Sequence, residues 1–315
     1  MRIVFWGTPQ PAVPSLEAFV AADDVEVVAV VTNPDRPAGR GHKLQPSPVK
    51  KAALAAGLDV WQPAKPSELI DDLLAADVDA CAVVAYGAIL PPKVLQVPAH
   101  GFVNLHFSLL PRWRGAAPVN HALLAGDERM GVTCFVLDAG MDTGPVLSMS
   151  ETDVQPDETA GDLVARLADL GGPVLVNAVR GLVAGTLEPK EQDHDRATLA
   201  PKISPADARI DWGRPAADIE RAVRAYQPMP GAHTTLHSER LKVHRSEPAG
   251  DGDRAAPGTV VHADADGPVV ACGDGALRLT QVQPAGKPRM AGGDFVNGYR
   301  PQGAVLGMDN SEGGA

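Results

Sequence analysis

Apolar runs alternate with helix-like segments along the first 106 residues, and this alternation leaves few architectures open to the chain. The strand-like runs are RIVFW (2–6), VEVVAVVT (25–32), DVWQP (59–63), DACAVVAY (79–86) and FVNLH (102–106), and helix-like segments lie at 14–21, 50–58 and 67–77. Continuous apolar strands are typical of sheets covered on both faces, and helical crossovers between them give parallel order with right-handed connections. The pattern predicts an α/β fold with a doubly wound, mostly parallel, Rossmann-like sheet.

The pattern continues with a strand pair and a long helix. The strands are expected at 131–138 and 144–154, and helices at 117–126 and 158–184. In the earlier segment 67–77, Ser67 precedes an amphipathic stretch, and serine is a preferred N-cap residue. We therefore expect Ser67 to cap a helix there.

The composition changes at residue 187, and the chain stays polar and rich in proline up to residue 206. Such a stretch is typical of a linker. A helix is expected at 216–225, and short alternating runs separated by Gly, Asp and Pro turns then predict a small antiparallel β-barrel of the OB type. We divide the chain into a first domain at 1–188, a linker at 189–205 and a second domain at 206–308.

Charge and cysteine content argue against several classes of protein. Lys and Arg number 28 against 39 Asp and Glu, a net charge of −11, which argues against coating nucleic acid by bulk charge but permits a local basic patch. Three separated cysteines without a Cys-x-x-Cys pair argue against a zinc knuckle or disulfide framework and favour a reducing cytoplasm. No apolar run approaches the roughly 18 residues of a membrane span, and the N-terminus is typical of a buried strand rather than a signal peptide.

The turn Gly7-Thr8-Pro9 follows the first strand, where doubly wound folds carry a dinucleotide fingerprint. The chain has neither G-x-G-x-x-G there nor a G-x-x-x-x-G-K-[ST] motif, so binding of NAD, FAD or a nucleoside triphosphate is not expected. The turn is either a tight strand-to-helix connection or one wall of a ligand site beyond the strand ends.

Asn104 and His106 lie two residues apart at the end of the strand at 102–106. Period-two alternation puts both side chains on the same face of the sheet. A neutral amide beside a group that titrates near neutrality suits attack on a carbonyl-like carbon, because the amide stabilises an oxyanion and the imidazole moves a proton. Taken singly, either residue is more often structural.

Two loops add polar groups to this candidate site. The first contains Arg112 and Arg114, whose guanidinium groups are either anion contacts or solvated surface. The second, at 138–144, contains Asp142, which would orient the ring of His106 if it reached it. The second loop is otherwise an ordinary turn, and because it lacks the ligand spacing of an EF-hand, we expect no metal ion.

The densest positive cluster lies at 34–43, where Arg36, Arg40 and Lys43 stand among Gly and Pro residues. On an acidic chain this loop is the strongest candidate for contact with phosphate groups, and the alternative is an exposed linker. His233 and His237 are four residues apart in a strand-like stretch, which does not suit a zinc site.

Together these segments resemble the methionyl-tRNA formyltransferase family of folate-dependent enzymes. The resemblance covers nearly the whole chain and is carried by the GTP turn, PDRPAGRG, VVAYG, NLHFSLLPRWRGAAP, DAGMDTG, ARIDW and QPAGK. The pattern N-x-H-x-S-L-L-P-x-x-R-G with D-x-G-x-D-T-G downstream is specific to folate-dependent formyltransferases. The PDRPAGRG loop and the C-terminal barrel narrow the resemblance to members that act on tRNA.

The resemblance implies transfer of a formyl group from 10-formyltetrahydrofolate to the α-amino group of methionine on initiator methionyl-tRNA, by direct amine attack through a tetrahedral intermediate. It implies catalytic roles for Asn104, His106 and Asp142. Folate is then expected at Ser108, Leu109, Leu110, Pro111, Val84, Tyr86 and Gly87, and tRNA at Arg36, Arg40 and Lys43. We further expect a monomeric cytoplasmic enzyme that needs no metal ion and has no membrane partner.

Three other functions stay open on the sequence. A formyl enzyme acting on glycinamide ribonucleotide or on an amino sugar nucleotide would share Asn104, His106 and Asp142, but would need neither the cationic loop nor the second domain. A hydrolase would pass the formyl group of the same folate to water. A protein that chiefly binds RNA would not need to keep the three polar residues, so their presence argues against it.

Overall fold

The computed structural model of the protein describes residues 1–38, 43–250 and 255–308, and the chain divides into two compact units. The N-terminal unit comprises Met1–Pro118, Glu128–Val154 and Leu163–Pro201. The C-terminal unit comprises Val119–Asp127, Gln155–Asp162 and the chain from Lys202 onward.

Helices and strands alternate up to residue 183, close to the predicted positions. They are β1 (Arg2–Gly7), α1 (Val13–Val20), β2 (Glu26–Val31), β3 (Arg36–Ala38), β4 (Lys43–Gln45), α2 (Pro48–Ala55), β5 (Val60–Trp61), α3 (Ile70–Ala76), β6 (Ala80–Val84), α4 (Pro92–Leu95), β7 (Phe102–His106), α5 (Pro118–Ala125), β8 (Arg129–Val136), β9 (Val146–Asp153) and α6 (Ala160–Val183). The strands β3 and β4 form a separate antiparallel hairpin.

Seven strands of the N-terminal unit form one sheet in the order β5-β2-β1-β6-β7-β8-β9. The strands from β5 to β7 are parallel, and β8 and β9 continue the sheet in antiparallel order. The mostly parallel α/β sheet predicted from the sequence is therefore confirmed. The strand order reverses between β1 and β6, and this is the point at which open α/β sheets bind ligands.

The helix α6 packs directly against β7, the strand that carries Asn104 and His106. A Cβ atom at Gly171 of α6 would lie 2.5 Å from a methyl carbon of Leu105, closer than real side chains approach. Glycine at this position therefore permits the close contact between helix and strand. Leu105 is itself buried, so the packing fixes the backbone from which the two polar residues project.

The helix α3 starts later than the sequence predicts. Residues Pro66–Leu69 form a short 3₁₀ turn, and the α-helix begins at Ile70. Neither the turn nor the helix has a side-chain cap, so the prediction that Ser67 is an N-cap was wrong. Pro66 accounts for the start of the turn, because its fixed φ suits the first position of a helical segment.

The C-terminal unit is built on an antiparallel sheet, as predicted. Its elements after residue 202 are α7 (Ala216–Ala225), β10 (His233–Leu236), β11 (Glu239–Pro248), β12 (Val260–Asp264), β13 (Gly267–Ala271), β14 (Ala276–Pro284), β15 (Met290–Ala291) and α8 (Gly292–Tyr299). The strands pair in the order β10-β11-β14-β13-β12, and β15 pairs with β14. Ile219 and Val223 of α7 and Phe295 of α8 share one apolar core with Val243 and Leu279 of the sheet.

The described residues include eight α-helices and all three cysteines of the chain. Among these helices, none combines the length and the apolar character that a membrane span requires. Cys81, Cys134 and Cys272 are buried free thiols, and burial raises the pKa of the first two to about 12 and that of Cys272 to about 11.

Neighbouring leucines of α3 provide a test of the N-terminal core. Leu73 is 1% exposed and belongs to the apolar cluster on one face of the sheet, whereas Leu74 is 61% exposed. We expect Leu73→Ala to lower the free energy of unfolding by about 2–5 kcal/mol, because it leaves a cavity. Leu74→Ala should change it by less than about 0.5 kcal/mol. Chemical denaturation of the two purified variants measures both, and equal losses would contradict this packing.

Candidate active site

The carboxyl ends of β1, β2 and β6 meet where the strand order reverses. Asn33, which follows β2, donates from Nδ2 to Thr8 Oγ1 at 3.0 Å and to the Tyr86 carbonyl at 2.6 Å. The Thr8 hydroxyl also donates to the Tyr86 carbonyl, at 3.1 Å. These bonds tie three strand ends together, so the turn at Gly7-Thr8-Pro9 borders the edge of the sheet where a ligand is expected.

Asn104 and His106 occupy the last residues of β7 and share one face of the strand. Asn104 is partly exposed, and within the described residues its side-chain amide has no hydrogen-bond partner. His106 is buried, with 6% of its surface exposed. The pair therefore combines an amide that is available to a ligand with an imidazole that is largely screened from water.

Two contacts hold the ring of His106. Its Nε2 lies 2.9 Å from the carbonyl oxygen of Trp113, and the ring meets that of Phe135 edge-on with centroids 6.4 Å apart. A carbonyl oxygen only accepts, so Nε2 carries a proton and donates it to Trp113. In a neutral ring Nδ1 is then the nitrogen without a proton.

Asp142 faces this second ring nitrogen. Its Oδ2 lies 3.8 Å from His106 Nδ1, and the same oxygen accepts the N–H of Gly115 at 2.7 Å. Because a carboxylate also only accepts, the contact is attractive when Nδ1 carries a proton as well. Within the described residues Nδ1 is therefore the ring nitrogen without a hydrogen bond, at ion-pair distance from the carboxylate and able to exchange a proton with a ligand.

Asp142 reaches His106 by an indirect route. Because β8 is antiparallel to β7, Thr133 lies opposite His106 and Val136 lies opposite Val103. The loop after β8 thus starts at the end of β7 that is farther from His106. To bring Asp142 to the imidazole, the loop must return along β7 by three residues, about 10 Å at roughly 3.3 Å per residue.

Trp113 and Asp142, which face the two nitrogens of the imidazole, both have left-handed backbones. The φ angle is +62° at Trp113 and +55° at Asp142. Such values are uncommon for residues other than glycine and persist only where the surroundings determine the conformation. They are concentrated at functional sites, which supports the assignment of this region as the site.

The segment expected to bind folate is attached to β8. Thr133 donates from Oγ1 to the Ser108 carbonyl at 2.6 Å and accepts the Leu110 N–H at 3.1 Å. Ser108 and Leu110 are buried, whereas Leu109 and Pro111 keep partial exposure. In this segment the partly exposed side chains available to a ligand are therefore those of Leu109 and Pro111.

The end of β6 offers a ligand mainly its backbone. Val84 is fully buried, and the ring of Tyr86 packs edge-on against Trp6 in the core, with centroids 5.1 Å apart. Burial raises the pKa of the Tyr86 hydroxyl. Gly87 is exposed and has a φ of +82°. Of the three residues expected here, only Gly87 is therefore open at the surface.

The two arginines of the loop after β7 have different environments. Arg112 is exposed, and its guanidinium carbon lies 5.2 Å from the centroid of the Trp113 ring, a cation–π contact. Arg114 is 6% exposed, so its interpretation as solvated surface was wrong. Its guanidinium donates to the neutral side chains of Gln192 and His194.

Reasoning from the sequence missed three residues that support the site: Thr133, Gln192 and Thr198. Thr133 is recognised only once the pairing of β7 with β8 is known. Gln192 and Thr198 lie in the polar stretch interpreted as a linker, yet Gln192 is buried and Thr198 accepts the N–H of Trp113 at 2.9 Å. No local periodicity marks either of them.

The cationic loop is described only at its base. Arg36 is exposed and lies opposite Gln45 in the hairpin of β3 and β4. Arg40 and the side chain of Lys43 lie outside the described part of the chain. The base of the loop is held by Lys50, whose Nζ donates to both oxygens of Asp35 at 3.0 and 2.8 Å.

Potential metal-ligating side chains are scattered over the described ranges of the chain. There, no three His, Cys, Asp or Glu side chains converge in a way that could hold a metal ion. His233 lies in β10, and His237 lies in the turn after that strand.

The fold and the site define a transferase of formyl groups. The family model described as "Formyl transferase" matches residues 1–179, and that described as "Formyl transferase, C-terminal domain" matches residues 202–300, so the chain belongs to the formyl transferase family. Within this family it is similar to proteins named methionyl-tRNA formyltransferase. That of Ectopseudomonas mendocina is 50% identical over 98% of this chain and 99% of its own length. That of Streptomyces griseus is 47% identical over 98% of this chain and 100% of its own length. The resemblance inferred from the motifs is confirmed.

A solved structure shows the same fold at low sequence identity. The N-formyltransferase of Helicobacter canadensis, in complex with folinic acid and dTDP-3-aminofucose, superimposes with a TM-score of 0.65 at 18% identity. The match covers 91% of this chain and 99% of that protein.

Gly115 provides a test of the loop that holds Asp142. Its φ is +122°, and a Cβ there would lie 2.7 Å from the carbonyl oxygen of Ala200. We expect Gly115→Ala to displace the N–H that binds Asp142 and to reduce formyl transfer at least about tenfold, since small displacements at a site are costly.

Gly185→Ala is the matched control, because Gly185 has a φ of +66° and nothing within 4 Å of the added Cβ. It should cost about 1–2 kcal/mol of stability for the left-handed backbone and leave the transfer rate unchanged. Equal transfer rates for the two variants would contradict the role of Gly115.

Proposed function

We propose that the protein transfers the formyl group of 10-formyltetrahydrofolate to the α-amino group of methionine on initiator methionyl-tRNA. The observation that carries this proposal is the approach of the Asp142 carboxylate to the imidazole of His106, with the available amide of Asn104 two residues away on the same face of β7. The acceptor is supported by similarity to methionyl-tRNA formyltransferases along 98% of the chain.

The residues present fit a folate co-substrate at the edge of the sheet. Leu109 and Pro111 keep partial exposure for an apolar ring, and the backbone around Gly87 is open for polar contacts. We propose that 108–111 and the end of β6 hold the co-substrate, which supplies the formyl carbon that the acceptor attacks.

We assign the catalytic roles from the hydrogen-bonding capacity of each group. When the neutral amine attacks the formyl carbon, the carbonyl oxygen becomes an oxyanion, which Asn104 and protonated His106 stabilise by about 3 kcal/mol per well-oriented donor. Since His106 Nε2 is engaged by Trp113, Nδ1 is the ring nitrogen at which a proton is exchanged. Asp142 keeps that nitrogen oriented, and the proton lost by the amine passes to the departing folate nitrogen.

An acceptor assay tests this function and its mechanism together. Labelled formyl from 10-formyltetrahydrofolate is offered in parallel to charged initiator tRNA, to an amino sugar nucleotide and to water, and we expect label on the tRNA. His106→Ala and Asp142→Ala should each reduce that transfer by orders of magnitude, about 10²–10⁴-fold, because general acid–base chemistry is lost.

The control for this assay is His100→Ala, since His100 is exposed and lies outside the site. It should transfer formyl groups like the wild-type protein. Near-normal turnover by the folded His106→Ala variant would contradict the proposed mechanism. Label on the sugar nucleotide alone would show that the proposed acceptor is wrong.

We propose a second tRNA contact on the C-terminal sheet, in addition to Arg36, Arg40 and Lys43. Lys242 lies opposite His233 and Gln283, and Arg245 lies opposite Gln281, so these residues share a face. Val243 between them packs in the core, which puts Lys242 and Arg245 on the face away from it. Within the described residues neither cation has an ion-pair partner.

Nearby positive charges lower the pKa of two histidines of the C-terminal sheet. Burial lowers the pKa of His233, and the charges of Arg240, Arg209 and Lys242 lower it further, against a backbone hydrogen bond that raises it. Burial also lowers the pKa of His244, and Arg289 and Lys242 lower it further, although a hydrogen bond with Gln283 opposes the shift. A concentration of cations on a chain of net charge −11 supports a local contact with phosphate groups.

Charge reversal tests this face. Lys242→Glu combined with Arg245→Glu should raise the KM for tRNA and flatten its dependence on salt concentration, by about two in the log–log slope, while kcat is retained. Arg214→Glu with Arg300→Glu changes the net charge equally, at positions just before α7 and just after α8, and should leave the KM for tRNA unchanged. If both double variants raise the KM for tRNA equally, the effect comes from net charge and the proposed contact is wrong.

We further propose that the protein acts as a monomer in the cytoplasm. We propose that 1–188 form the formyltransferase domain, 189–205 the linker and 206–308 the tRNA-binding domain. The free buried thiols support a reducing compartment, since disulfides are rare there.

A further inference from the structure

Gln192 lies outside the helices and strands and is nevertheless buried, with 7% of its surface exposed. It belongs to the polar stretch after α6 that the sequence suggests is a linker. In the structure this residue is part of the N-terminal unit, beside the loops that contain Gly115 and Asp142.

The side-chain amide of Gln192 joins two loops of the site. Its Oε1 accepts from Nε and Nη2 of Arg114, at 3.2 and 2.6 Å. Its Nε2 donates to the carbonyl oxygens of Asp142 and Gly144, at 2.9 and 2.7 Å. One amide therefore uses its whole hydrogen-bonding capacity, two acceptances and two donations.

Chemistry permits only one orientation of this amide. A guanidinium only donates, so it must face the oxygen, and carbonyls only accept, so they must face the nitrogen. The amide is therefore a directional connector between Arg114 and the loop of Asp142. Arg114 is fixed in turn by His194, whose Nδ1 accepts from Nη2 at 3.0 Å.

These bonds act where the loop needs them. The loop of Asp142 must return along β7, and Asp142 has a φ of +55°, so its conformation depends on external partners. Gln192 holds the backbone of Asp142, and Gly115, the neighbour of Arg114, holds its carboxylate. The Gln192 amide thus links Arg114 to the loop whose Asp142 carboxylate is bound by the neighbouring Gly115.

We propose that Gln192 is a positioning residue for formyl transfer, which keeps the Asp142 carboxylate directed at His106. The inference rests on the proposed function for the reaction that it assists. Gln192 acts through Asp142, so its loss affects the chemical step rather than the binding of either substrate. A displacement of about 1 Å at a reacting group lowers the rate by as much as about a hundredfold.

Three substitutions separate the two sides of the amide. Gln192→Glu keeps an acceptor for Arg114 but loses both donations to the loop, and Gln192→Met loses both sides at similar volume. Gln192→Asn keeps the amide on a side chain one methylene shorter. The control is Gln227→Met in the C-terminal unit, because Gln227 is also buried, donates to the Val243 carbonyl at 3.0 Å and contacts His244 through its oxygen at 3.2 Å.

The measurements are kcat, the KM for each substrate and the melting temperature of every variant. We expect Gln192→Glu and Gln192→Met to lower kcat by about ten- to a hundredfold, with each KM within about twofold of wild type. Gln192→Asn should be intermediate. Gln227→Met should lower the melting temperature and leave kcat unchanged.

Several outcomes would overturn the proposal. Wild-type kcat for folded Gln192→Glu would mean that the amide serves only Arg114. If Gln192→Glu and Gln192→Met both melt at a lower temperature but keep the wild-type kcat, Gln192 has only a structural role. If Gln192→Met does not fold, Gln192→Glu and Gln192→Asn decide, since both keep a polar partner for Arg114.

The experiment also distinguishes failure of the proposed function. If the wild-type protein labels only water or a sugar nucleotide, the proposed acceptor is wrong. The same comparison of kcat with that acceptor would still decide the role of Gln192.

Discussion

The approach of the Asp142 carboxylate to the imidazole of His106 is the contact on which the rest of the site depends. His106 lies at the end of β7, whereas the loop of Asp142 leaves β8 beside the start of β7. His106 Nδ1 and Asp142 Oδ2 are nevertheless 3.8 Å apart. Directional contacts are needed because the strand pairing alone would leave the carboxylate about 10 Å away. Gly115 and Gln192 supply these contacts, each through hydrogen bonds with a single possible sense.

The buried polar groups around the site favour one arrangement of its loops. Thr133 both donates and accepts, Gln192 makes four hydrogen bonds, and the His106 ring is held by a backbone carbonyl. Buried polar groups that are fully satisfied stabilise one arrangement, whereas a missing partner is costly. The Asn104 side chain differs from them, since within the described residues its amide has no partner. That difference supports the proposal that Asn104 stabilises the developing oxyanion.

An acidic chain that acts on a polyanion needs its positive charge in particular positions. At physiological salt, screening limits the range over which exposed charges interact to about 8–10 Å. Cations close to a phosphate group therefore determine whether it binds, and the net charge of −11 does not. Lys242 and Arg245 lie on the face of the C-terminal sheet away from its core, and Arg36 lies at the base of the loop at 34–43. The proposal assigns contact with tRNA to these local cations and the chemical step to His106.

Local pattern alone determined most of the fold and half of the site. Apolar alternation predicted the parallel sheet, its strands and the antiparallel C-terminal sheet, and the spacing of Asn104 and His106 predicted their shared face, because these properties repeat over two to four residues. The wrong prediction of an N-cap at Ser67 also had a local cause, because Pro66 starts a 3₁₀ turn one residue earlier. Only the tertiary structure decided that Arg114 is buried, that the ring of Tyr86 faces the core and that Gln192 reaches Asp142. Those contacts join residues far apart in the chain, where no periodicity records which hydrogen-bond donors and acceptors will meet.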